Sequence, residues 1–156
     1  MDQQSIDQIE TLHPKLRNIA LAAYNEAVAS TPVGVHPIIT QGYRTFDESN
    51  ALYAKGRTAP GEIVTNAPAG KSYHNYGCAL DFALVINGNT SWDQTNPNWN
   101  TVVNVFKNHG FEWGGDWNSF KDYPHFEMRF GLSWQQMLQK HNSGDFIPGT
   151  SYINIP

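Results

Sequence analysis

The 156-residue sequence contains a single cysteine, Cys78, so no internal disulfide can staple the fold. No stretch is apolar for long enough to span a bilayer. The opening residues, Met1-Asp2-Gln3-Gln4-Ser5-Ile6-Asp7-Gln8, are acidic and polar and lack both the basic start and the apolar centre of a secretory signal. Positive charge is scarce: ten Lys and Arg against fourteen Asp and Glu give a formal net charge of -4 with no basic run, which argues against nucleic acid as a partner. Internal repeats and low-complexity segments are also missing. What remains, 40% hydrophobic residues in a chain of this size, suits one core. Residues 1–156 are therefore expected to form a single domain and to act as a monomer, with no length left for a second module.

Periodicity supplies the elements. Ile6, Ile9 and Leu12 recur at helical intervals, and Leu16, Ile19, Ala20, Ala23 and Ala27 form one face of a helix from Lys15 to Val28 with Pro14 in its first turn. His36 to Arg44 reads as a strand that delivers Arg44 at its end. Thr45 or Asp47 can cap a helix from about Glu48 to Lys55, which stops at Gly56. Arg57 to Gly70, rich in Pro and Gly, reads as a surface loop. Cys78 to Ile86 reads as a buried strand closed by a turn at Asn87-Gly88-Asn89-Thr90. A helix from Trp99 to Asn108, a short strand at Phe111-Glu112-Trp113, a strand from His125 to Phe130 and a helix capped by Ser133 follow. The tail from Asn142 is expected to drape over the domain. This order predicts an α+β fold, a small, mostly antiparallel sheet with helices packed around it.

The chemistry gathers at Lys71-Ser72-Tyr73-His74-Asn75-Tyr76-Gly77-Cys78-Ala79-Leu80-Asp81. A carboxylate in an apolar strand is costly to desolvate without a cation or strong donors, so Asp81 asks for a partner. Taken singly, His74 or Asp81 has an ordinary explanation: a solvated loop imidazole, or an acid held by backbone donors or an arginine. His125, at the start of another alternating stretch, adds a third donor. Two imidazoles and one carboxylate are the ligand set of a catalytic zinc site that leaves a fourth position to water. His74, Asp81 and His125 are thus the candidate metal ligands, for one Zn2+. Cys78 reads as a small buried hydrophobe, and His13, His36, His109 and His141 lack ligand context.

The pattern Ser72-x-His74-x-x-Gly77-x-Ala79-x-Asp81, followed by Asp122-Tyr123-Pro124-His125, resembles the signature of the LAS zinc metallopeptidases. That superfamily includes D-alanyl-D-alanine dipeptidases and carboxypeptidases, L-alanyl-D-glutamate peptidases of phage endolysins, and the Hedgehog N-terminal domain. Leu12-His13-Pro14-Lys15-Leu16-Arg17, Gly42-Tyr43-Arg44-Thr45 and Leu52-Tyr53-Ala54-Lys55-Gly56-Arg57-Thr58 are most similar to the L-alanyl-D-glutamate branch. The resemblance implies the Hedgehog/D-alanyl-D-alanine-peptidase fold and a hydrolase of the peptidoglycan stem peptide. It implies that Asp122 is the general base, with Glu127 its competitor because both flank His125. Arg44 matches an arginine that binds a substrate carboxylate or steadies an oxyanion, the alternative being a salt bridge to Asp47 or Glu48. Ser72 either meets substrate or caps its loop. Trp113 and Trp117 are candidates to line a groove, although aromatics more often sit in a core.

Three other readings compete. A non-haem iron oxygenase uses the same ligand types, but six residues between His74 and Asp81 fit its usual spacing poorly. A zinc-containing binding module would have no use for Asp122 beside His125. A D-alanyl-D-alanine carboxypeptidase or dipeptidase would perform the same chemistry on another bond, and a dipeptidase needs a closed pocket for which this chain shows no insertion. The expected place of action is the bacterial cell wall, reached either as a holin-released phage lysin or from a chain whose leader has been removed.

Overall fold

The computed structural model describes residues 2–156. Among the described residues, five α-helices pack around a five-stranded antiparallel sheet: α1 (Gln3–Glu10), α2 (Pro14–Ser30), β1 (Val35–Gln41), α3 (Phe46–Ala54), β2 (Ala79–Ile86), β3 (Asn89–Ser91), α4 (Pro97–Asn108), β4 (Glu112–Trp113), β5 (His125–Glu127) and α5 (Trp134–Asn142). The strand order is β1-β2-β5-β4, with β3 pairing the far end of β2. The α+β architecture expected from the sequence is therefore present. None of the helices is long and apolar enough to cross a membrane among the described residues.

β2 is the centre because its alternation serves two purposes. Leu80, Phe82 and Leu84 face α2 and α4 and join Phe126, Trp99, Phe106, Leu16 and Tyr24 in the main core. The rings of Phe82 and Phe126 stack 5.2 Å apart, and Phe106 lies 4.5 Å from Phe126 on its other side. Burying each such ring contributes roughly 1.5–3 kcal/mol. Because successive strand residues point to opposite faces, the same register turns Asp81, His125 and Glu127 to the far face. Asp81 stands directly across from His125, and Ala79 across from Glu127.

Local chemistry sets the boundaries. Thr45 caps α3 in a reciprocal capping box with Glu48, so the choice between Thr45 and Asp47 falls to Thr45. Two expected strands are shorter than the alternation implied. The strand carrying His125 ends at Glu127, after which Phe130 adopts a positive φ of 53° that no strand permits. β1 ends at Gln41, where a register shift after Ile39 breaks the ladder. Asn89 and Thr90, assigned from sequence to the turn that begins at Asn87, instead pair with β2 as part of β3. The tail folds back as expected: Ile153 is buried with Met137, Tyr76 and Cys78 in a second cluster, and Phe146 bridges to Ile153.

His13 ties that tail to α2. Its Nδ1 accepts from the Lys15 amide at 3.1 Å as the helix N-cap, and its Nε2 donates to the Ile153 carbonyl at 2.7 Å. Acceptance at Nδ1 requires a neutral ring, and burial draws the imidazole below its ordinary value, with the Ile153 carbonyl opposing. His13 is structural, as expected.

Candidate metal centre and its cleft

Ser72-Tyr73-His74-Asn75-Tyr76-Gly77 forms the first wall of the site. Ser72 Oγ accepts from the His74 amide and caps the 3-10 turn Tyr73–Tyr76, and Gly77 ends that turn at φ 69°. A side chain at Gly77 would also press to 2.4 Å from the His13 amide nitrogen, so only glycine can carry the chain from the turn into β2. Of the two roles open to Ser72, the geometry supplies the cap. Asn75, buried, donates to Ser49 Oγ at 2.8 Å and to the Arg44 carbonyl at 3.0 Å, locking this turn to the segment between β1 and α3.

Three side chains converge here. His74 Nε2 lies 3.3 Å and His125 Nδ1 3.2 Å from Asp81 Oδ1, and one donor atom from each residue falls within 4.8 Å of the others. Tetrahedral zinc with bonds of ~2.0–2.1 Å separates neighbouring ligand atoms by about 3.3 Å, so the two distances to Asp81 Oδ1 fit such an ion. The remaining ring nitrogens are engaged. His74 Nδ1 donates to the Gly42 carbonyl at 2.8 Å, which leaves Nε2 bare for an ion, and His125 Nε2 donates to Glu127 Oε1 at 2.8 Å. Burial works against charge on Asp81, yet the two imidazoles hold its carboxyl well below the ordinary carboxylate range.

Asp122 and Glu127, the two rivals beside His125, differ in availability. Glu127 is buried with both oxygens committed, Oε1 to His125 and Oε2 to Arg129 Nε at 2.5 Å. The Asp122 side chain is 49% exposed and reaches to 3.9 Å from His125 Nδ1. Lys121, its sequence neighbour, turns away and donates to the Gly115 carbonyl. Partial withdrawal from water pushes the Asp122 carboxyl up, with His125 opposing and Asp81 reinforcing the rise.

Asp122 is held by its backbone. Its amide donates to the Gly114 carbonyl, and the indoles of Trp113 and Trp99 both donate to the Tyr123 carbonyl, at 2.7 and 3.3 Å. Trp113 thus lies beneath the loop and does not line the groove, a correction to its expected place: its indole N–H finds a carbonyl acceptor inside the fold. Trp117 does line the cleft, its ring 5.3 Å from that of His125. Arg44 sits at the other end. Its guanidinium donates to Gln41 Oε1 at 2.7 Å and lies 3.8 Å from Asp81 Oδ2, so neither Asp47 nor Glu48 holds it. Gln41 has no sequence signal, because the register shift after Ile39 is what turns it toward Arg44.

All of this opens into one trough of about 1340 Å³. Its walls are two loops, one presenting Ile63, Val64 and Thr65, the other Trp117 to Lys121 with the exposed Phe120. Lys71 and Trp134 lie along the same trough. Cys78 is sealed away behind it, and burial pushes its thiol up to about 12, as befits a core residue.

Residues 65–128, which carry all three converging side chains, match the family model described as D-alanyl-D-alanine carboxypeptidase. The chain is 48% identical over 125 residues to the peptidoglycan L-alanyl-D-glutamate endopeptidase CwlK of Bacillus subtilis, an alignment covering 75% of this chain and 73% of that protein. The chain belongs to the LAS metallopeptidases. A second member, the L-alanyl-D-glutamate peptidase of Escherichia phage T5, is 32% identical over 135 residues, covering 83% of this LAS chain and 88% of the phage protein. The crystal structure of the Serratia marcescens L-Ala D-Glu endopeptidase ChiX shares the fold, with a TM-score of 0.62 at 20% identity over 83% of this chain and 90% of that one. As a LAS peptidase the protein is metal-dependent, and the His74, Asp81 and His125 cluster is where the described residues could hold that metal.

Proposed function

We propose that this protein is a zinc-dependent peptidoglycan hydrolase that cuts the stem peptide between L-alanine and D-glutamate. The observation that carries the reading is the convergence of His74 Nε2, Asp81 Oδ1 and His125 Nδ1 at tetrahedral spacing, with an accessible carboxylate, Asp122, beside them. Close likeness to two proteins named for the L-alanyl-D-glutamate bond supports that bond over D-alanyl-D-alanine. An open trough also suits an internal bond of a polymer better than a terminal dipeptide, which a closed pocket would serve.

Held by His74, Asp81 and His125, zinc would supply Lewis-acid polarisation of the scissile carbonyl and would make water acidic enough to attack near neutrality. Asp122 accepts the proton of the attacking water and hands it to the leaving amine of D-glutamate. Its raised pKa suits both halves of that transfer. Arg44, oriented by Gln41, directs its fork of donors at the developing oxyanion or at a carboxylate of the peptide. Ser72, while capping its turn, and Trp117 both line the trough and are placed to contact the peptide. The site of action is the bacterial cell wall.

The deciding experiment digests purified walls and sequences the released muropeptides by mass spectrometry. New amino-terminal glutamate is expected. Released D-alanine would move the assignment to the carboxypeptidase, and no product in the presence of zinc would refute hydrolysis. Chelation should abolish cleavage and zinc return should restore it.

A further inference from the structure

A tryptophan left in water forfeits one of the largest apolar burials a chain can make. Of the five tryptophans here only Trp92 is exposed, at 54%, whereas Trp99 is fully buried. The indoles of Trp99 and Trp113 donate to the Tyr123 carbonyl, and among the described residues no acceptor takes that of Trp92. The chain around Trp92 is nearly uncharged. Nine of the fourteen residues from Asn87 to Asn100 are Asn, Gln, Ser or Thr, and the one charge, Asp93, accepts from the amide and hydroxyl of Thr95. A polyanion would need cations, and this stretch has none. A pyranose suits it: the C–H face of the sugar lies against the electron-rich face of an indole, while hydroxyl and acetamido groups exchange hydrogen bonds with neutral amides and hydroxyls.

Position ties this surface to the metal centre. β1 occupies one edge of β2, and β5 and β3 lie end to end along the other, β5 opposite Ala79 to Asp81 and β3 opposite Leu84 to Ile86. Ser91 stands across from Leu84, three residues from Asp81, which is about 10 Å at a strand's rise of ~3.3 Å per residue. Thr90, across from Val85, shares the parity of Asp81 and so faces the metal side; Trp92 has the same parity one step past the strand. Arg44, bonded to Gln41 of β1, lies on the opposite edge. The carboxylate-bearing D-glutamate half of a stem peptide is drawn toward Arg44, so the neutral L-alanine half runs toward β3. That half is short. L-alanine joins the wall sugar through a single lactyl group, so about two residue-lengths, ~7 Å, separate the scissile bond from the first ring.

We propose that Trp92, with the amides and hydroxyls around it, is a subsite for the N-acetylated sugar that carries the stem peptide, so that the protein reads glycan and peptide together. This inference rests on the stem-peptide reading above. The test gives the whole zinc-loaded chain two substrates, a stem peptide still joined to its disaccharide and the same peptide without sugar. Wild-type protein is expected to favour the sugar-linked form. Trp92→Ala should raise KM for that form roughly tenfold with kcat little changed, erasing the preference, and Trp92→Phe should keep part of it. Independently of any variant, glycan strands stripped of peptide should shift the Trp92 indole signal in 1H–15N spectra of the wild-type protein. Equal use of both substrates by wild-type protein, a preference undiminished in Trp92→Ala, or an indole signal indifferent to glycan would overturn the subsite while leaving the hydrolase intact. Failure to cut either substrate would overturn the stem-peptide reading, and this inference with it.

Discussion

Two carboxylates flank His125 with the same chemistry and opposite surroundings, and the surroundings separate their roles. Asp122 is half-exposed and faces the cleft, whereas Glu127 is enclosed between the His125 imidazole and the Arg129 guanidinium. Replacing Asp122 by Ala is expected to lower kcat by about 10²–10⁴-fold while zinc content stays at one per chain. Metal analysis beside turnover checks this, and a variant that retained full activity would remove Asp122 from the mechanism. The metal-free His125 ring has its own signature. Burial pulls its pKa down, but hydrogen bonds to Asp81 and Glu127 win and push it up to about 10. Below that value the ring carries a proton that an ion must displace, so the logarithm of apparent zinc affinity should climb by about one for each pH unit raised. Competition titrations at several pH values measure the slope, and affinity indifferent to pH would contradict it. The ligands could be read from sequence because an acid in an apolar strand is conspicuous. Gln41 and Arg129 could not, since their importance arises only from what the backbone brings beside them.

Among the elements, the loop between β4 and β5 bears the proton-transfer group, and its fixation is unusually direct. A methyl at Gly114 would meet the Asp122 carbonyl oxygen at 2.3 Å. Gly114→Ala should therefore displace Asp122, reducing kcat more than KM with zinc binding retained. Steady-state kinetics with metal quantification tests it, and unchanged kcat would show that the loop relaxes freely. Helix α2 makes a different promise. His13 binds fewer protons folded than unfolded, so its contribution is complete above its ordinary value of 6.5 and is lost as pH falls through it. The destabilisation caused by His13→Gln should hence shrink between pH 7.5 and pH 5, as read by thermal unfolding; a penalty that stayed constant would dismiss the neutral cap. Helices α2, α4 and α5 were legible from their stripes and caps. The short strand at Glu112–Trp113 was foreseen as well, but β3 was not: its three residues are too few for alternation to announce them, and its existence depends on long-range pairing with β2.

For the molecule as a whole, the metal should act as a staple between distant parts of the chain. At a hundredfold excess of zinc over its dissociation constant, preferential binding to the folded state adds about 2.7 kcal/mol, a Tm increase of roughly 5–10 °C for a protein of this size. Differential scanning with and without a chelator measures it; equal Tm values would mean that no ion joins the turn at His74 to the sheet. The general architecture was foreseeable from sequence, but the trough was not, because its walls are loops at 63–65 and 117–121 whose placement no periodicity encodes. One feature of the sheet carries an evolutionary corollary. Asp81 faces His125 across a single antiparallel rung, and slipping that pairing by one residue would turn one of them into the aromatic core. Insertions and deletions in any descendant must therefore spare these two short strands and accumulate at the rim, where new loops can retune which wall polymers are admitted without touching the reaction.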